Sequence, residues 1–229
     1  MAESELPPGS ECVEGVLDLL GLLAYATLSA FFRLTDDAAA AESLSDKVAL
    51  AGMAVDEHGH FLRVLRRLAE LHADPETAMQ PFVQAVDEFN ARTTPSDWLE
   101  GLVKVYVGEG MAASFCRAVA DLLDPRTQEI VNQVLAGAGQ ADFVVARVGQ
   151  AVEADPRVAG RLVLWARRLV GEAITQAQRV VTEREPLARL LAGGDAGQLG
   201  KITRILATLA DEHSHRLAAL GLAGHSAAR

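Results

Sequence analysis

Apolar residues recur at steps of three and four along almost the whole chain, and strand-like alternation is absent. That spacing predicts amphipathic helices. The breaks between them are marked by a capping side chain followed by proline: Asp74-Pro75, Thr94-Pro95, Asp124-Pro125 and Asp155-Pro156. Such pairs suit helix starts, because the side chain accepts from an unpaired backbone N–H and proline fits the first turn. Ser43-x-x-Asp46 is a further start signal, and Gly193-Gly194-Asp195 reads as a loop. The predicted helices cover 12–35, 44–73, 96–122, 126–154, 156–184 and 199–221, with a shorter, interrupted stretch near 81–91. The fold class is therefore all-α: a four-helix bundle with additional C-terminal helices. One helical domain over 12–222 is expected, with flexible tails at 1–11 and 223–229.

Polar residues interrupt the apolar stripes at a few places. In the second long helix the stripe is Leu50, Met53/Ala54, Glu57, His60/Phe61, Val64, Leu68, Leu71, so Glu57 and His60 point inward together. His58 falls on the opposite face. In the third the stripe is Trp98, Leu102, Val105/Tyr106, Glu109, Ala112, Cys116, Val119, which gives Glu109 a core position. The first helix runs Val16, Leu20, Leu23, Thr27, Phe31, Leu34, and the fourth is interrupted at Gly137 and Gln140. Burying a carboxylate costs free energy unless it has partners, so these interruptions are candidates for chemistry. Near the C-terminus His213 lies on its helix stripe, whereas Glu212 and His215 lie off it. Glu172 is placed to be buried on the neighbouring helix, where a hydrogen-bonded pair with His213 is expected.

The interruptions fall at 27, 57/60, 109 and 137/140. Thirty residues separate 27 from 57, and twenty-eight separate 109 from 137. Two helix hairpins, each donating half a site, have this spacing. Ferritin-like carboxylate-bridged di-iron proteins share it, with a Glu from two helices and Glu-x-x-His from the other two. Oxygen-rich ligands with one imidazole per metal suit iron that activates dioxygen.

Composition narrows the choice of partners. The 229 residues carry a formal net charge of −10, which disfavours a nucleic-acid partner despite the small clusters Arg63/Arg66/Arg67 and Arg161/Arg167/Arg168. There is no uninterrupted apolar run of about eighteen residues, so no membrane span is expected. The acidic, proline-bearing start lacks the order of a signal peptide, which predicts a cytoplasmic protein. Cys12 and Cys116 show no metal-ligand spacing and are expected to be free thiols.

Three segments are distinctive: Leu22 to Phe31, Asp97 to Gly108 and Asp155 to Ala173. They resemble the bacterial ferritin-like proteins described as MiaE-like, after a tRNA hydroxylase acting on the isopentenyl side chain of a modified adenosine. The resemblance covers about 12–222 and implies a ferritin-like fold. It also implies a di-iron ligand set that this chain only partly keeps. Glu57 and His60 match the group's Glu-x-x-His, and Glu109 stands at an acidic position. Thr27 stands where a glutamate is usual, and Gly137 and Gln140 where Asp-x-x-His is usual. Phe32 replaces an acidic residue, while Glu172 and His213 match recurring residues.

Three functions are compatible with this pattern. The first is a metal-independent acid–base pocket on Glu57, His60 and Glu109, acting on a mostly apolar small molecule. Thr27, Phe31, Tyr106, Gln140, Glu172 and His213 are then expected to line the cavity. The second is an iron-dependent hydroxylase using Glu57, His60 and Glu109 as ligands of a mono- or dinuclear site. The third is a non-catalytic binding or assembly protein. A homodimer is compatible with all three.

Overall fold

The computed structural model describes residues 10–119, 122–134, 138–192 and 212–222, apart from the side chains of 10–12, 109, 113, 116–119 and 138–140. Among the described residues there are helices and no strands. In chain order they are α1 (Ser10–Ala40), α2 (Leu44–Glu70), α3 (Pro75–Met79), α4 (Val83–Arg92), α5 (Trp98–Val119), α6 (Pro125–Val134), α7 (Ala138–Ala154), α8 (Arg157–Glu183) and α9 (Glu185–Ala192). A 3-10 turn at Gln80–Phe82 joins α3 to α4, and residues 212–219 are also helical.

Capping explains most of these boundaries. The Ser43 hydroxyl accepts from the Asp46 N–H at 3.0 Å, and the Asp74 carboxylate accepts from the Thr77 N–H at 2.8 Å. Asp124 accepts from the Thr127 N–H at 3.1 Å. Thr94 does not cap α5 as its sequence context predicts; its hydroxyl donates back to the Ala91 carbonyl of α4 at 3.1 Å. The α5 start is instead closed by Asp97, which accepts from the Glu100 N–H at 2.9 Å, and by Glu100, which accepts from the Ser96 N–H at 2.8 Å. Of the helix expected over 126–154, the parts before and after 135–137 are described, as α6 and α7, and Gly137 lies outside the described residues. Of the helix expected over 199–221, only the part from 212 is described. The short α9 is additional, and it buries Leu187, Leu190 and Leu191.

Helices α1 and α2 form an antiparallel hairpin, and α4, α5 and α8 close the bundle around it. Helix α1 crosses α3 at very short range. A Cβ on Gly21 would stand 2.0 Å from the Ala78 carbonyl oxygen, so only glycine permits this approach. Side-chain clips fix the other helices. Arg67 is buried and donates to Thr127 at 2.9 Å and Asp124 at 3.0 Å, tying α2 to the start of α6. Arg161 meets Asp97 at 2.6 Å and Glu100 at 2.7 Å, while the Trp165 indole donates to the Glu100 carbonyl at 2.9 Å, tying α8 to α5. Arg184 reaches Asp18 at 2.5 Å and ties the end of α8 to α1.

By length and composition α1 is apolar enough to cross a membrane over Val13–Ala40, despite the charges that interrupt its apolar run. Half of its most apolar window is buried inside the bundle, where Leu19, Leu20, Ala24 and Leu34 are fully enclosed.

Candidate active site: a polar belt between two halves of the core

The core is divided in two. One cluster gathers Leu34, Leu50, Met53, Leu102 and Leu162, and the other gathers Leu19, Leu23, Val64, Leu68 and Val180. Among the described residues, α1, α2 and α8 each place buried apolar side chains in both clusters and carry polar side chains at the crossing. Helix α1 has Thr27 there, α2 has Glu57 and His60, and α8 has Gln176. All four are at least nine-tenths buried.

These residues line a cavity of about 340 Å³ whose wall is otherwise mainly apolar. Small side chains at this level make the room: Ala26 and Ala30 on α1, Gly108 and Ala112 on α5, Ala173 and Ala177 on α8. The Glu57 carboxylate and the His60 Nδ1 are 3.5 Å apart, within ion-pair range. At that distance Nδ1 makes no protein hydrogen bond. The Thr27 hydroxyl donates to the Leu23 and Ala24 carbonyls at 2.9 and 3.0 Å, so it is engaged with its own helix. The Gln176 amide donates to Glu172 at 2.8 Å, which fixes the amide orientation because a carboxylate accepts only from its nitrogen. Glu172 is itself 3.5 Å from Arg92.

The other residues expected at the site are placed differently. Glu172 lies behind Gln176 and outside the cavity wall. His213 is buried, but neither ring nitrogen has a protein partner, so the expected Glu172–His213 pair is not formed. Burial, with Arg216 and Arg167 nearby, holds the His213 imidazole below its usual pKa. Phe31 turns away to stack near Phe32 and His58, with ring centroids 5.3 and 5.2 Å away. Tyr106 packs half-buried against the first cluster, and burial raises its phenol pKa against the opposing effect of Arg216. The side chains of Glu109 and Gln140 lie outside the described residues.

Gln176 was not expected at the site, although Leu169, Ala173, Gln176 and Val180 follow steps of four, three and four. The same test that finds Glu57 finds it. A second unexpected group is Lys104, which is 2% exposed. Its amine donates to the Thr93 carbonyl at 2.9 Å and lies 5.2 Å from the Phe89 ring centroid. Burial pushes its pKa down to about 7, Arg33 acts the same way, and Asp37 opposes. The Asp37 carboxyl is in turn raised by burial.

The described donors can be compared with an iron site. Two of the three expected ligands, Glu57 and His60, are adjacent. The facing position on α1 offers a hydroxyl already committed to the helix backbone. Among the described residues no group of three His, Cys, Asp or Glu side chains converges as a metal site would require. The described donors do not by themselves make a ligand set.

The fold and the belt define an all-α protein of the ferritin-like class. A family profile described as a ferritin-like domain of actinomycetes matches residues 11–194, and the chain belongs to that family. Comparison with curated proteins gives no match.

Proposed function

We propose that this chain is a ferritin-like protein of MiaE-like type whose cavity is a metal-independent acid–base pocket for a mostly apolar small molecule. One observation carries the reading: a carboxylate and an imidazole stand 3.5 Å apart in a cavity with an otherwise mainly apolar wall. A carboxylate in such a place removes a proton from a ligand held against it, and the neighbouring imidazole donates or shares one. A ligand seated against the apolar wall displaces water, which keeps the transferred proton between the ligand and these two groups. Isomerisation, cyclisation or elimination each need only such a transfer, with no oxidant.

The test is deuterium uptake from D₂O into apolar ligand retained by the purified protein, read by mass spectrometry with a chelator present. Uptake is expected to persist under chelation and to be lost in Glu57→Gln. Loss on chelation with recovery on ferrous iron would instead establish the iron-dependent reading. Equal uptake by Glu57→Gln refutes the acid–base role.

A further inference from the structure

Helix α2 is apolar on two faces. Its buried face carries Glu57 and His60, and its opposite face stands in solvent. On that outer face Leu44, Val48, Ala51, Val55, His58 and Leu62 are all exposed, and they follow one another at steps of four, three, four, three and four. The alternation repeats every seven residues, which is the spacing of a coiled-coil seam, and on the wet face of a surface helix such positions are ordinarily polar. Leu44, Val48, Val55 and Leu62 are each between 45% and 77% exposed. Phe32 of α1 is exposed as well. It joins the stripe through Phe31, whose ring centroid lies 5.3 Å from that of Phe32 and 5.2 Å from that of His58. Elsewhere among the described residues the exposed large apolar side chains are Val13, Leu122 and Leu164, which form no such series.

We propose that this stripe is the interface of a homodimer, in which α2 of one copy packs lengthwise on α2 of a second. The five exposed large side chains amount to on the order of 500 Å² of apolar surface, toward the top of what a monomer shows as its largest patch. Two such faces brought together remove on the order of 1,000 Å² from water, the level that a specific interface has to clear. A seam with this spacing is covered by a helix that carries the same spacing. No second stripe of this kind is exposed among the described residues. A head-to-tail contact would therefore set the stripe against a polar surface, whereas pairing it with itself covers both copies. A two-fold axis gives that pairing and closes the assembly at two chains. A lipid surface is a poorer match. The charges beside the stripe are of both signs, Lys47, Asp56 and Arg66 among them, and an anionic leaflet repels a chain of net charge −10. Glu57 and His60 point away from the seam, so the pairing covers neither of them.

Sedimentation equilibrium on the whole chain tests this. At micromolar concentration the wild type is expected to show twice the 24.3 kDa mass of one chain. Val55→Glu places two carboxylates in the seam and is expected to raise the dimer Kd by roughly a hundredfold or more. Leu164→Glu, at an exposed leucine of α8, is expected to shift it by less than about threefold. Both positions are exposed, and circular dichroism confirms that each variant is folded. A wild type that stays at the mass of one chain at tens of micromolar overturns the proposal. So does a dimer that Val55→Glu leaves intact, or one that Leu164→Glu weakens equally. Flotation of a monomeric wild type with vesicles of phosphatidylcholine and phosphatidylglycerol, lost in Val55→Glu, would assign the face to lipid and overturn it as well.

Discussion

Lys104 supplies a measurable consequence of the way α5 is buried. The substitution is Lys104→Met, which keeps the packed stem and removes the amine. In the folded protein the amine is held at about 7 against an ordinary 10.5. A neutral amine retains two N–H donors, enough for the carbonyls of Thr93 and Asn90, at 2.9 and 3.5 Å, that it faces. Between the two pKa values the unfolded chain holds the proton and the folded chain does not. Unfolding then takes up a proton, so stability must rise with pH in that window and level off below about 7. The slope is about 1.4 kcal/mol per pH unit, and the whole interval of 10.5 − 7 = 3.5 units corresponds to about 5 kcal/mol.

Urea unfolding at about pH 7.5 and about pH 9.5 samples two units of that window. The wild type is expected to gain about 2–3 kcal/mol more than Lys104→Met over the interval, because the variant has no group there to titrate. Taking the difference between the two proteins cancels the tyrosines, cysteines and other lysines, which both contain. Stability curves that stay parallel across the interval would show that the Lys104 ammonium is as well accommodated as in water, and the burial argument would fail.

Further predictions concern the belt, the helix crossing and the acid limb. Replacing Glu57 and His60 together by Leu removes an incompletely bonded buried pair and is expected to stabilise the fold by about 1–4 kcal/mol; a lower urea midpoint than wild type would contradict this. Gly21→Ala places a methyl group against the Ala78 carbonyl and should cost about 1–3 kcal/mol or more in thermal unfolding. Gly52→Ala, on an exposed face of α2 with nothing within 4 Å, should gain about 1 kcal/mol, and matching effects at the two sites would refute the crossing geometry. Burial raises the Asp124 carboxyl pKa, but its bonds to Thr127 and Arg67 outweigh that and hold it below the ordinary 3.8. Its contribution is thus present above 3.8 and lost as pH falls through the lower native value, so Asp124→Asn should flatten the acid limb of the stability curve between about pH 2 and 4.

Most of the α2 stripe was legible in the sequence, although Phe61 and Leu71 are only half-buried and Arg67, off the stripe, is buried. Leu50, Met53, Ala54, Glu57, His60, Val64 and Leu68 are all buried, because α2 has one face on the core and one in solvent. A helix with a single wet face has a single buried period, and polar residues on that period stand out. Helix α5 violates the premise. Residues 101–105 and 107 are all buried, so its apolar positions run round the helix and no one stripe is distinguished. That is why Tyr106 was expected in the cavity, and why no stripe marks Lys104 as a buried polar residue. The cavity face of α5 includes Val105, Gly108, Met111, Ala112 and Phe115.

Polar interruptions say where chemistry can stand, but not whether there is room for a ligand beside it. The room comes from a second pattern, small residues at the same level on several helices. Ala26 and Ala30 bracket Thr27, Ala173 and Ala177 bracket Gln176, and Gly108 and Ala112 face them from α5. Neither pattern alone makes a site. Polar residues ringed by leucines would be a closed hydrogen-bond network, and small residues without polar ones would let helices draw together. Here the helices are held apart by the two filled clusters on either side, which keeps the space between them open. An apolar wall left facing water in the empty cavity costs free energy in proportion to its area. An apolar chain lying in it recovers part of that cost, so ligand binding and fold stability are coupled through the same atoms. A ligand that fits should therefore raise the unfolding temperature, and one that binds elsewhere on the surface has no such lever.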